Sequence, residues 1–502
     1  MAHGDLAQIA ALLGAAGSVC VLAARGRAPL FVGFSLLAAA ETALAVALVP
    51  RSDLSRLDSP LRIAALVAVT LAIVALGWAL SRFPAVVPVL LLAAAPFRIP
   101  VDLGHQHAFL LVPLYGVLAA ASIALLIGAV RGPVPEVLPL LAVPAAALIG
   151  FYAVSLLWAQ DLQQGSIALA FFVFPFAALV AVVARSPYAA WLPRALAVTL
   201  VGLACAFAVV GIWQEWTKTV FFAHDLRVAN TYATFFRVTS VFKDPSIYGR
   251  HLALAIVVLV VVLWLGRVQF WPAAAGVGLI FSGLYFSYSQ SSMAVLFVGV
   301  LVATLVLGDS HAKKIVLVAA LVAALAGGAV AATTARGHSL RKATSGRSRL
   351  VTVTTRVIRN HPLVGVGIGS QPLASSKEAK SRLAARRDAS HTTPLTVLAE
   401  LGVVGFLLYL AFLAAAVRLL FLTARRHQGF ALGLAAAFLV LFLHSLFYSG
   451  FFEDPLMWGT LAVAAASLAA APAWLPETEP GTPPPRGRSI GRAPAAEDTG
   501  RG

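Results

Sequence analysis

The feature that most constrains this chain is a series of apolar blocks, each close to twenty residues long and joined by short connectors. A helix rises about 1.5 Å per residue, so about 20 apolar residues cross the ~30 Å hydrocarbon core of a bilayer. Blocks of this kind fall near residues 6–24, 29–49, 63–81, 84–97, 108–130, 136–158, 166–184, 195–216, 246–266, 271–288, 291–308, 315–335, 393–420, 429–449 and 456–473. The spacing predicts an all-α polytopic membrane protein with about 12–15 transmembrane helices. A chain with 60% hydrophobic and 11% charged residues has less than half the charge of an ordinary soluble domain. The first block lacks a basic stretch before it and a polar one after it, so it reads as a spanning helix rather than a cleaved signal.

Charge divides the chain. The net charge of +17 does not call for nucleic acid here, because the cations lie in membrane loops and the tail. Anionic headgroups of the lipid bilayer or a phosphate-bearing substrate answer to it better. Arg25, Arg27, Arg131, Arg185, Arg267 and Arg425 all fall in short connectors of one side, which the bias of Lys and Arg marks as cytoplasmic. Alternation then puts two loops, 217–245 and 336–392, outside. The expected organisation is N-terminal helices over 1–216, a central membrane region over 217–335, a large extracytoplasmic loop over 336–392, C-terminal helices over 393–473, and a Pro- and Gly-rich cytoplasmic tail over 474–502 with too little apolar content to fold. Cys20 and Cys205 lie in apolar blocks and read as packing residues. The sequence contains no P-loop, GxGxxG or HExxH pattern, so neither a nucleotide, a dinucleotide cofactor nor a metal is expected.

The outer loop 336–391 holds twelve Lys and Arg against two acids. Within it Leu350, Val353, Val357 and Ile358 recur at helical spacing, which predicts a short helix opening at Arg347. Such a helix would lie against the membrane surface and turn Arg347 toward a central cavity, or would simply hold lipid headgroups. HPLVGVGIGS follows, with Pro362 to end the helix and Gly365, Gly367 and Gly369 for a backbone that must approach something closely. His391 stands just before block 393–420, where an imidazole can exchange a proton near neutral pH. Glu400, a carboxyl inside an apolar block, is a functional candidate by its placement unless an arginine pairs with it. In the other outer loop Arg237, Lys243, Asp244 and Arg250 cluster around Pro245, which starts the next helix. Guanidinium forks suit phosphate oxygens.

These segments resemble the O-antigen ligase and polymerase superfamily. GRSRLVTVTTRVIRNHPLVGVGIGS and SHTTPLTVLAELGVVGFLLYL are similar to its arginine-bearing helix, its HPLxGxG turn, and its histidine followed at fixed spacing by two glycines, here Gly402 and Gly405. RVTSVFKDPSIYG is similar to an upstream family segment. Thr392 and Ser246 depart from the usual residues at their positions, and the family's Ser-Arg pair appears as YSQSSM, with no arginine near Ser291. Arg237 is assigned the unfilled cationic role, with Arg250 second. The resemblance implies a C-type glycosyltransferase-like fold that passes a glycan from a polyprenyl-pyrophosphate carrier to a hydroxyl of a glycan, lipid or protein acceptor, without a metal. With it, His391 is expected as general base and Arg347 and Arg237 on the pyrophosphate, while the residue patterns above add Arg250, Asp244 and Glu400 as further substrate contacts. Ligase and repeat-unit polymerase remain open, as does a lipid-linked glycan transporter. So does a peptidoglycan-type polymerase using Asp244, Glu453 or Asp454.

Overall fold

A computed structural model of the chain describes residues 2–49, 59–103, 106–232, 234–337, 347–380 and 390–470. Among the described residues, twelve helices are long and apolar enough to cross a membrane. In hydrocarbon no water can satisfy a free amide or carbonyl, so apolar blocks of this length close their hydrogen bonds internally as helices. The N-terminal helices are α1 (Ala2–Ala23), α2 (Arg27–Leu48), α3 (Pro60–Leu80), the short α4 (Val87–Ala94) and α5 (Val112–Arg131). They are followed by α6 (Pro139–Trp158), α7 (Leu162–Val183) and α8 (Leu192–Thr217). A short α9 (His224–Tyr232) precedes α10 (Pro245–Trp264), α11 (Phe270–Ser287), α12 (Gln290–Leu307) and α13 (Ser310–Gly337). The extramembrane α14 (Arg347–Asn360) and α15 (Gln371–Glu378) lead to α16 (Thr393–Arg426), α17 (Gln428–Ser445) and α18 (Pro455–Ala469).

The all-α expectation holds with one addition. Between α4 and α5 the chain forms an antiparallel hairpin, β1 (Ile99–Leu103) and β2 (Gln106–Leu110), in register from Ile99↔Leu110 to Leu103↔Gln106. The block expected from residue 108 therefore becomes helical only at Val112. Pro245 does start α10, and Asp244 caps it by accepting from the amide of Ser246 at 2.6 Å. α10 is the most enclosed of the spans, whereas α3 is nearly all exposed at the edge of the bundle. Small residues let α1 and α2 touch through their backbones, since a Cβ on Gly33 would stand 2.8 Å from the amide of Val21.

The short basic connectors meet at one end of the bundle. Arg185 is buried there and donates to the carbonyls of Pro135, Ala181 and Ala24 at 2.8, 3.0 and 3.3 Å. Desolvation lowers its guanidinium to about 10. Arg25 pairs with Glu136 at 3.6 Å beside it. α6 runs from that end to Trp158, so the turn joining α6 to α7 lies at the opposite end, where the glycine-rich segment docks.

The helix read from Leu350, Val353, Val357 and Ile358 forms as α14, with one correction. Its apolar face covers protein rather than the membrane surface: Val357 packs in one cluster with Val366, Ala374 and Ala399. The side chain of Arg347, the residues Arg382, Arg386 and Arg387, and the tail expected over 474–502 lie outside the described residues.

Candidate functional site

The site is built on a break in α16. Gly402 has φ +63° inside this helix, and the break frees the carbonyls of Ala399 and Glu400 and the amides of Val403 and Val404, which a continuous helix would pair with each other. The segment HPLVGVGIGS satisfies all four. Val366 N donates to Ala399 O at 3.0 Å and Gly367 N to Glu400 O at 2.8 Å, while Val403 N and Val404 N donate to Pro362 O and Leu363 O at 2.8 and 3.2 Å. Backbones this close leave no room for side chains. A Cβ on Gly365 would lie 2.3 Å from the carbonyl carbon of Glu400, and one on Gly402 equally close to that of Leu363. Both residues have positive φ, as do Gly367 and Gly369, where side chains other than hydrogen are disfavoured. The two glycine motifs are halves of one joint.

The turn from α6 to α7 clamps the other side of the joint. Trp158 Nε1 donates to Val364 O at 3.1 Å, Gln160 N to Val366 O at 3.1 Å, and Asp161 N to Ser370 Oγ at 3.0 Å. Ser155 Oγ accepts from Ile368 N at 3.1 Å. These contacts tie the N-terminal helices to the loop ahead of His391, although little in the N-terminal sequence announced a part in the site.

His391 is exposed and precedes the first turn of α16. Its position depends on Gln371, which is 1% exposed. The Gln371 carboxamide oxygen accepts from Ser390 N at 2.9 Å, and its nitrogen donates to Thr354 Oγ1 at 3.1 Å and Ser375 Oγ at 2.7 Å. One side chain thus joins α14, α15 and the residue before His391. The amide of Gln371 also donates to Glu400 at 3.3 Å, so Glu400 is held by main chain.

Beside this joint lies a cavity of about 110 Å³. Its apolar wall includes Leu148, Ile149, Phe172, Val397, Phe452 and Trp458, and its polar groups are Tyr152, Thr393, Thr396, Glu400, Ser449 and Glu453. Glu453 lines the cavity although it is itself exposed. Burial raises its carboxyl above the usual range, against the opposing pull of Arg98 and, after it, Arg250. Thr393 is 3% exposed, and its hydroxyl has no hydrogen-bond partner.

The cations differ in what already holds them. Arg250 is buried and pairs with Asp454 at 2.7 Å. Arg237 is half-buried and is fixed by its backbone, which exchanges hydrogen bonds with the Asn230 carboxamide at 3.2 and 3.0 Å, and by Nε donating to Ser287 O at 3.2 Å. Burial lowers its guanidinium from the ordinary value, with Asp244 acting in the opposite sense. The loop under it is set by buried Gln214, whose oxygen accepts from Thr239 N and Ser240 N at 3.1 and 2.7 Å. Sequence reasoning missed Arg98, Gln214, Gln371 and the buried His444, which faces Ser291 at 3.5 Å. A glutamine two residues after the last glycine of the run was the available signal for Gln371.

The fold and site define a multi-pass membrane protein with a polar pocket and a titratable histidine at one end of its helix bundle. Residues 275–410 match a family model described as O-antigen ligase, so this part of the chain is similar to that family. The matched segment contains α14, the glycine joint, His391 and Glu400. Comparison with curated proteins gives no match. The match supports glycan transfer in general.

Proposed function

We propose that this protein transfers a glycan from a polyprenyl-pyrophosphate carrier to an acceptor hydroxyl at the outer face of a bacterial cytoplasmic membrane. The observation that carries this reading is the joint between HPLVGVGIGS and the break at Gly402, which lies in the segment matching the O-antigen ligase family and holds His391 at the head of α16. The collection of short basic connectors at the opposite end supports an extracytoplasmic site, since such loops remain on the cytoplasmic side.

In this mechanism His391 accepts the proton of the acceptor hydroxyl as that oxygen attacks the anomeric carbon. The new carbon–oxygen bond forms while the bond from carbon to the carrier phosphate breaks, and the electron pair leaves with the pyrophosphate. A single displacement inverts the anomeric centre. Arg237 and Arg347 offset the charge growing on the leaving group, as positioned donors do in other transfers, and Asp244 orders the segment between Arg237 and α10 through its cap. Arg250 contributes through the buried pair with Asp454. The polyprenyl chain lies between helices in the bilayer.

His391→Ala tests the reading in a transfer assay with a polyprenyl-pyrophosphate glycan. General base catalysis contributes about 10²–10⁴-fold, so turnover falls by that factor. Full turnover in this variant overturns the role of His391. Offering a lipid-linked repeat and a non-repeating anchor as competing acceptors separates polymerase from ligase.

A further inference from the structure

The cavity beside the glycine joint has a composition of its own. Among the described residues that line it, the acidic or basic groups, tyrosine aside, are the carboxyls of Glu400 and Glu453, and none is Lys, Arg or His. A pyrophosphate placed there would touch carboxyls, whereas Arg98 and Arg250, which act on Glu453, are not among the lining residues, so the described wall offers the carrier's charged group no direct partner. Neither does a hydrocarbon tail, because the buried hydroxyl of Thr393 lacks a partner and would remain unsatisfied against one. Thr396 and Ser449, whose hydroxyls stand 3.3 Å apart, add two more groups able both to donate and to accept. Phe452 and Trp458 also line the cavity. Hydroxyls, carboxyls and aromatic rings in one lining match a ring that carries hydroxyls at its edge and C–H groups on its faces. At ~10–15 Å³ for each water position, about 110 Å³ is room for several waters, the space of one ring rather than a chain.

We propose that this cavity is a subsite for one uncharged pyranose ring of the acceptor glycan, with Thr393, Glu400 and Glu453 as its polar contacts. The assignment to the acceptor rests on the transfer reaction proposed above: the donor sugar is bonded to the pyrophosphate and must stay near cations, whereas Thr393 is two residues from the proposed base. The subsite sets specificity by charge, since a uronic acid would place a carboxylate in a wall whose described residues include no cation to pair it.

A binding measurement without carrier or turnover tests this. Ser449→Cys, made in a chain whose Cys20 and Cys205 are replaced by Ala, puts a reactive thiol on the cavity wall of the detergent-solubilised protein. The probes are methyl glycosides of glucose, galactose and N-acetylglucosamine, with methyl glucuronide as the charged counterpart. At least one neutral glycoside slows modification of the thiol by a methanethiosulfonate reagent, and the glucuronide does not. Thr393→Val and Glu453→Gln each weaken that protection by about fivefold to tenfold, the effect of one lost hydrogen bond, while elution on gel filtration stays unchanged. Equal protection by the glucuronide, no protection by any neutral glycoside, or protection that survives both substitutions overturns the proposal. Because no glycan is transferred, loss of turnover without loss of protection leaves the subsite standing, and the reverse leaves the role of His391 standing.

Discussion

Replacing Gln371 by Met keeps the length of the side chain and removes every polar atom from it. Ser390 N then loses its 2.9 Å acceptor in a place where Ser390 is itself buried, and Thr354 and Ser375 lose the donor they share. The two hydroxyls can rotate to other partners, but the amide cannot. An orphaned buried amide costs about 1–3 kcal/mol, and the chain escapes that cost by moving Ser390 toward water, carrying His391 with it. If the competent geometry must be regained in each turnover, kcat falls by about 5–150-fold, since ~1.4 kcal/mol is a factor of ten. The donor KM changes little, because Gln371 is interior and meets no substrate. The assay is steady-state transfer by Gln371→Met, His391→Ala and the double variant. Residues that act as one unit give losses that do not add, so the double variant is no slower than His391→Ala alone. Full addition of the two losses, with the melting temperature unchanged, would refute the claim that Gln371 works through His391.

Two other changes probe the scaffold and its titration. Gly402→Ala forces a Cβ to within 2.3 Å of the Leu363 carbonyl carbon at φ +63°, and it threatens four main-chain hydrogen bonds worth about 1 kcal/mol each; its thermal unfolding midpoint in detergent drops well below that of Gly433→Ala, where a Cβ meets nothing within 4 Å. The raised carboxyl of Glu453 contributes stability that is complete below the usual glutamate value of about 4.3 and is lost as pH rises through its folded value. Wild type therefore loses melting temperature against Glu453→Gln over that rise, and a difference that is flat with pH would contradict it.

Much of the bundle was legible because burial in a bilayer leaves a single option for an apolar run. The pair 271–288 and 291–308, separated only by Ser289 and Gln290, does form two helices, since Tyr288 takes a left-handed φ of +50° between them. The hairpin at 99–110 was not legible: its strands are short, and the apolar block starting at 108 masked the end of β2. α14 was correctly read from its apolar face, yet what the face covers depends on α15 and α16, which period alone does not specify. At the site, glycine spacing signalled a close approach but not its partner, because the partner is a gap in a helix that hydropathy reads as continuous. Arg237 and Arg250 looked alike in sequence. Their difference, one held mainly by backbone and the other paired with Asp454 over two hundred residues away, is a product of tertiary packing. Glu453 drew notice only as one acid among three in loops, and nothing local indicated that it would share a cavity with Glu400.

The joint at Gly402 is made of main-chain atoms, and this bears on how the protein can be redesigned. Amides and carbonyls are the same in every residue, so the attachment does not depend on which side chains project from the turn. Leu363 and Val364 are both exposed there, at 69% and 44%, next to the donors and acceptors that hold the segment in place. A library randomised at these two positions, with Pro362, Gly365, Gly367 and Gly369 kept, would vary the exposed surface of the turn while leaving its hinge intact. Surface chemistry beside the joint can then be searched separately from folding.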